Sequence, residues 1–127
     1  MTYTVIASNP KTNEIGIAST TITINFGRTF PVTRHLAPEL SSKGIIVAPM
    51  ATVHPQNGYR LCDLRDSGVS WDDMENQLSK HDEHWSWRQI GAVTATGETW
   101  VRTGSNAGDH ASHIVAEGSI AMGNYMD

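Results

Sequence analysis

The sequence predicts an α+β domain: a mostly antiparallel sheet with helices on one side. Three observations point there. Residues 2–21 read as a β-hairpin, two amphipathic helices follow one another from residue 56, and residues 87–122 return to strand patterns. Strands grouped on either side of a helical stretch mark a segregated α+β fold.

The elements follow in order. Thr2, Tyr3, Thr4, Val5 and Ile6 are β-branched or aromatic and suit a strand. Ser8, Asn9, Pro10, Lys11, Thr12 and Asn13 are turn chemistry. From Ile15 to Thr21 apolar and small residues alternate, as a half-buried strand requires. Gly16 within that strand suggests a close approach or a bulge, and the strand is expected to run on through residues 22–24. Residues 27–43 hold Pro31 and Pro38 with few apolar repeats and read as mostly loop. Residues 44–48 read as a short buried strand that Pro49 ends or places at a sheet edge.

A first helix is expected over residues 56–67, with Tyr59, Leu61, Cys62 and Leu64 as its apolar positions and Gly68 as its C-terminal cap. A second starts at Ser70, the N-cap, with Asp73 placed for a capping box and Trp71, Met74 and Leu78 at helical spacing. Asp72, Asp73 and Glu75 sit where the helix dipole favours anions, and the helix should fray around residues 80–84. Residues 87–94 and 99–103 read as strands joined by a turn at residues 95–98. Residues 105–113 read as a polar loop. Residues 114–122 lead into a last strand that Gly123 and Asn124 terminate.

Length and charge narrow the functional classes. The chain has 127 residues, the size of one domain spanning residues 1–127. Its 9 basic and 13 acidic residues give a net charge of −4, with no basic block of the kind nucleic-acid binding needs. No apolar run reaches membrane-spanning length, and the N-terminus lacks the basic and apolar segments of a signal peptide. The one cysteine, Cys62, has no internal disulfide partner, which fits a cytoplasmic location.

Several residues are candidates for chemistry. Thr2 becomes N-terminal once Met1 is removed, and a free α-amino group beside a hydroxyl is a self-contained base and nucleophile. A Thr that merely suits a strand is the plainer alternative. His110 and His113 stand three apart, as do His81 and His84. On a helix that spacing would let two imidazoles share a metal, but no zincin-type glutamate accompanies either pair. No metal or other cofactor is therefore expected. Cys62 beside Asp63 suits a packed thiol better than a reactive one. Trp71, Trp85, Trp87 and Trp100 could line a groove or pack helix on sheet. Arg88 could fork onto a ligand carboxylate or pair with Asp82 or Glu83.

With these residues placed, the chain resembles the DUF1028 family, whose members are similar to N-terminal-nucleophile (Ntn) hydrolases. Family members open Met-Thr-Phe-Ser-Ile-Val-Ala-Arg-Asp-Pro, and this chain opens Met-Thr-Tyr-Thr-Val-Ile-Ala-Ser-Asn-Pro. Glu14, Gly16, Thr21 (at the family's serine), Gly27 and Pro31 continue the match. His54-Pro55-Gln56-Asn57-Gly58 stands at the family's Asn-Pro-x-x-Gly. Leu64, Gly68, Asp82, Arg88-Gln89-Ile90-Gly91, Thr103-Gly104, His113 and Gly123-Asn124 follow in order. Ala48-Pro49-Met50 departs from the family's Ala-Thr-Gln, and Ala107 and His110 replace its Cys and Trp. Family members usually run well beyond the Gly-Asn, whereas this sequence ends at Asp127.

The resemblance implies two stacked antiparallel sheets with flanking helices, incomplete on one helical layer, so that an exposed sheet face calls for a partner subunit and a homo-oligomer is expected. It also implies a hydrolase acting on a small-molecule amide. Thr2 would be the nucleophile, and Thr21, Arg88, His113 and Asn124 would orient substrate or nucleophile or supply donors to the tetrahedral intermediate. The alternatives are a non-catalytic binding or assembly protein on the same fold and a metal-dependent hydrolase using His110 and His113.

Overall fold

The computed structural model describes residues 1–22, 31–34 and 44–126. The opening hairpin forms as expected. Strand β1 (Thr2–Asn9) pairs antiparallel with β2 (Glu14–Thr21) without interruption, from Thr2 opposite Thr21 to Asn9 opposite Glu14. Gly16 therefore marks no bulge, and a Cβ placed on it meets nothing within 4 Å, so it marks no close approach either. The expected continuation through residues 23–24 lies outside the described residues, and Ile22 has already left the strand.

The other edge of β1 pairs with the last strand, which corrects the expectation for residues 112–122. That span is a second hairpin, β7 (Ser112–Ala116) and β8 (Ser119–Asn124), turning at Glu117 and Gly118. Gly118, the second turn residue, has φ +62°, a left-handed conformation that glycine adopts without steric cost. The first sheet thus runs β2-β1-β8-β7.

The second sheet runs β3-β4-β5-β6, with β3 Val32–Arg34, β4 Ile45–Met50, β5 Gln89–Thr94 and β6 Thr99–Thr103. β3 falls inside the stretch expected to be loop; the remainder of residues 27–43, Pro31 and the β3 residues apart, lies outside the described residues. Pro49 does not end β4, where it sits opposite Ile90. The β3–β4 register stops at Val47, so the missing Pro49 N–H removes no bond from that described ladder. β5 starts later than expected because Trp85–Trp87 forms a 3-10 turn.

Helices α1 (Pro55–Asp66) and α2 (Trp71–Ser79) pack on the second sheet. Alternation along β4 divides its side chains between two cores. Ile45 and Val47 join Leu61, Cys62, Met74, Leu78 and Trp85 beneath the helices. Ile46, Ala48 and Met50 join Ile6, Ile120 and Met122 between the sheets. The layers are helices, sheet, sheet. The outer face of the first sheet exposes Tyr3, Ala18 and Ile114, the last at 73% of its surface. The incomplete helical layer is therefore observed among the described residues. None of their helices is long and apolar enough to cross a membrane.

Local signals explain the helix ends. Ser67 caps α1 and Gly68, at φ +89°, follows in the left-handed conformation. The Gly68 and Val69 N–H groups return to the Arg65 and Leu64 carbonyls, a Schellman closure. The Ser70 hydroxyl accepts from the Asp73 N–H and donates to its carboxylate. One helix-face assignment fails: Tyr59 is half exposed, and the buried face of α1 is Asn57, Gly58, Leu61 and Cys62. The His81–His84 pair also fails as a helical face, because α2 ends at Ser79.

Urea denaturation should separate core from cap. Met74, fully buried, should cost about 2–5 kcal/mol on Met74→Ala. Loss of the α2 cap in Ser70→Ala should cost about 1 kcal/mol. Comparable losses would contradict the burial assigned to Met74.

Candidate functional site

Strand alternation places Thr2, Thr4 and Ile6 on the inner face of β1. The same rule puts Thr21 of β2 and Asn124 of β8 on that face, and the register sets both opposite Thr2. The Thr2 and Thr21 hydroxyls are 3.0 Å apart. One residue pair deeper, the Thr4 and Ser19 hydroxyls meet at 2.6 Å. The end of β4 closes the site from the second sheet. The result is a concavity of about 390 Å³ lined by Met1, Thr2, Thr21, Ile22, Ala51, Thr52, Val53, Asn124 and Tyr125. Met1 is 56% exposed.

Three lining residues hold left-handed backbone without being glycine: Ala51 and Thr52 at φ +49° and Tyr125 at φ +52°. Each such conformation costs about 1–3 kcal/mol and persists only where surroundings impose it. For Thr52 the surroundings are visible: its carbonyl accepts a hydrogen bond from Arg88 Nη1. Arg88 is itself clamped. Its Nε and Nη2 donate to Asp82 at 2.8 and 3.1 Å, and Asn57 Nδ2 donates to the same carboxylate at 2.6 Å.

Asn124 is also held from behind. Gln89, at the start of β5, is fully buried and reaches across to the first sheet. Its Nε2 donates to Thr103 Oγ1 and to the Ser112 and Gly123 carbonyls at 2.9–3.0 Å, and its Oε1 accepts from Asn124 Nδ2 at 3.0 Å. Carbonyls can only accept, so the Gln89 nitrogen must face them and its oxygen must face Asn124. That orientation fixes Asn124 in turn: its nitrogen points at Gln89, leaving a second N–H and Oδ1. Thr103 accepts from Gln89 and approaches His113 Nδ1 at 2.8 Å.

Three of the sequence-derived candidates thus meet: Thr2, Thr21 and Asn124. Arg88 stands behind the wall, its side chain 9% exposed and paired with Asp82, so the ion-pair alternative holds and the ligand fork does not. His113 lies on β7, exposed and tied to Thr103 rather than lining the Thr2 pocket. His110 sits in a left-handed turn (φ +51°) and His113 on a strand, so no helical face joins them. Among the described residues no three His, Cys, Asp or Glu side chains converge as metal ligands. Cys62 is a buried thiol. Sequence reasoning missed Gln89 and the strained residues Ala51, Thr52 and Tyr125. A signal existed for the first: Gln89 shares a strand face with Gly91 and Val93, and a polar residue on an apolar face must find buried partners.

This geometry can be set against known proteins. A family model described as a family of unknown function, DUF1028, matches residues 2–127. The chain therefore belongs to the DUF1028 family. It is similar to the crystal structure of a DUF1028 protein from Silicibacter pomeroyi, at 22% identity and a TM-score of 0.82. The match covers 98% of this chain and 55% of that one, so this chain spans about half the length of its structural relative. No protein of curated function matches the sequence.

The buried clamp predicts an acid response. Burial pushes the Asp82 carboxyl up, but hydrogen bonds from Arg88, Asn57 and the His84 N–H, with the Arg88 charge, outweigh it and hold it well below the usual carboxylate range. A group depressed in the folded state stabilises fully above its unfolded value, about 4, and loses that contribution as pH falls toward its folded value. Asp82→Asn should cost about 3–5 kcal/mol at pH 7 by leaving Arg88 unpaired. Urea titrations below pH 4 should show stability falling more steeply in the parent than in Asp82→Asn. Parallel pH profiles would contradict the clamp.

Proposed function

We propose that the chain is an Ntn-type hydrolase of small-molecule amides, with Thr2 as nucleophile after removal of Met1. The observation that carries this reading is the position of Thr2. It is the first residue of a strand held on both edges, its hydroxyl lies beside Thr21 and opposite Asn124, and its backbone end opens into a concavity. Removing the exposed Met1 leaves an α-amino group on the same residue as the hydroxyl.

The chemistry follows from those groups. The free Thr2 amine, whose type titrates near pH 8, takes the proton of its own hydroxyl. Oγ1 bonds to the amide carbon, and the carbonyl oxygen takes the negative charge. The second Asn124 N–H is the donor for that oxyanion, with the first committed to Gln89. The C–N bond then breaks, and the amine leaves with the proton held on the Thr2 nitrogen. Water, deprotonated by the same amine, splits the resulting ester and restores Thr2. Thr21 orients the hydroxyl. Arg88 acts through Thr52, shaping the wall rather than touching substrate.

A second reading, a non-catalytic assembly protein, has the exposed outer face of the first sheet in its favour. One screen separates the two. Against a panel of small amides, turnover should fall at least about 10³-fold in Thr2→Ala and about 10²–10³-fold in Asn124→Ala. Turnover that survives Thr2→Ala would eliminate Thr2 as nucleophile, and absence of turnover across the panel would favour assembly.

A further inference from the structure

A second concavity, of about 450 Å³, adjoins the first and shares Tyr125 with it. Trp87, Ser105, Asn106, Gly108 and Asp109 complete its lining. Trp87 and Tyr125 are each about half exposed. The Tyr125 ring is seated against Gly108: a Cβ on that residue would come within 2.7 Å of the ring, and Gly108 sits at φ +114°. The walls are therefore two aromatic rings, neutral polar groups and one carboxylate. No Lys or Arg lines the concavity among the described residues.

The chain shows elsewhere what such a set holds. Arg65 lies 4.8 Å from the centre of the Trp71 ring and donates to Glu98 at 3.0 Å, while Trp71 Nε1 donates to the same carboxylate at 3.2 Å. Arg102 lies 4.6 Å from the centre of the Trp85 ring and donates to Glu75 at 2.6 Å, with Trp85 Nε1 on that carboxylate at 3.3 Å. Twice, an indole and a carboxylate hold a guanidinium between them. The physical basis is general: a ring face is electron-rich, a carboxylate is anionic, and both attract a cation. Trp87 and Asp109 bring a third indole and carboxylate to one surface, where no internal cation joins them among the described residues.

We propose that this concavity binds an organic cation, a guanidinium or ammonium group, between Trp87, Tyr125 and Asp109. Because Tyr125 also lines the Thr2 pocket, the substrate class becomes amides bearing such a cation away from the scissile bond. That class rests on the hydrolase reading; the cation site itself does not.

Agmatine is a suitable guanidinium probe, followed on the four tryptophan indole N–H signals by proton–nitrogen NMR. It should shift one signal, the one missing in Trp87→Phe, with an affinity on the order of 1 mM. Asp109→Asn should weaken binding about three- to ten-fold, with the other indole signals unmoved as the check on folding. The uncharged analogue N-butylurea and a neutral hexose should leave the signal in place. Agmatine without effect up to about 50 mM, an equal response to N-butylurea or hexose, or undiminished binding in Asp109→Asn would each overturn the site. Running the amide screen beside the titration on the parent protein separates the claims: agmatine binding with no amide turned over sinks the hydrolase reading alone, and turnover without agmatine binding sinks the cation site alone.

Discussion

Gln89 is the contact on which the candidate site depends. It starts the second sheet's β5, yet its amide bonds β7 and β8 of the first sheet and Thr103 of β6. Its two N–H groups are shared among three acceptors and its oxygen accepts from Asn124, all at 2.9–3.0 Å, so a fully buried amide carries no unmet bond. A buried polar group in that state rigidifies what it touches, whereas one left half-bonded costs the full desolvation penalty. Because two of its acceptors are backbone carbonyls, the amide has one allowed orientation, and that orientation passes to Asn124. The inter-sheet core of Ile6, Met50, Val93, Ile120 and Met122 is apolar and non-directional. Burial fixes the separation of the sheets, but apolar contacts carry no polar orientation. The Gln89 bonds fix position at the end where the concavity opens.

The β1 register does the complementary work within the first sheet. A slip of one residue would turn Thr2, Thr4 and Ile6 outward and Tyr3 and Val5 inward. Pairing on both edges, to β2 and to β8, makes that slip costly. On the opposite wall the same rigidity is achieved differently: Arg88, neutralised by Asp82, holds the Thr52 carbonyl and with it a backbone turn that L-residues disfavour. Both walls are thus held by groups that do not themselves line the concavity. A site so supported keeps its polar groups in place before a ligand arrives, as the proposed role of Asn124 requires.

Much of this was legible in the sequence. The hairpin, the Ser70 cap, the Gly68 closure and β6 each follow from local chemistry, and local chemistry decides them. The misses are non-local. Pro49 reads as a strand terminator until the β3–β4 register shows that its missing N–H faces no described partner. Residues 112–122 read as loop and single strand because Glu117-Gly118 is a weak turn signal beside Asn-Gly or Asp-Gly. Tyr59 sits at an apolar spacing but α1 turns its small face, Asn57 and Gly58, toward the core. In the site, Thr2 stands out for its place behind Met1, Thr21 and Asn124 only through the family resemblance, and only the register brings the three together. Arg88 and His113 stand out by residue type and spacing as well as by the resemblance, and the fold sets both outside the concavity. Gln89 was visible as a motif letter, but its partners lie on three other strands.

The central claim is that Thr2 presents a free α-amino group beside its hydroxyl at the mouth of the site. Intact-mass measurement with N-terminal sequencing of purified, active protein tests that claim most directly. The account predicts a chain beginning at Thr2, one methionine lighter than the translated sequence. Full retention of Met1 in a preparation that turns over amides would contradict it.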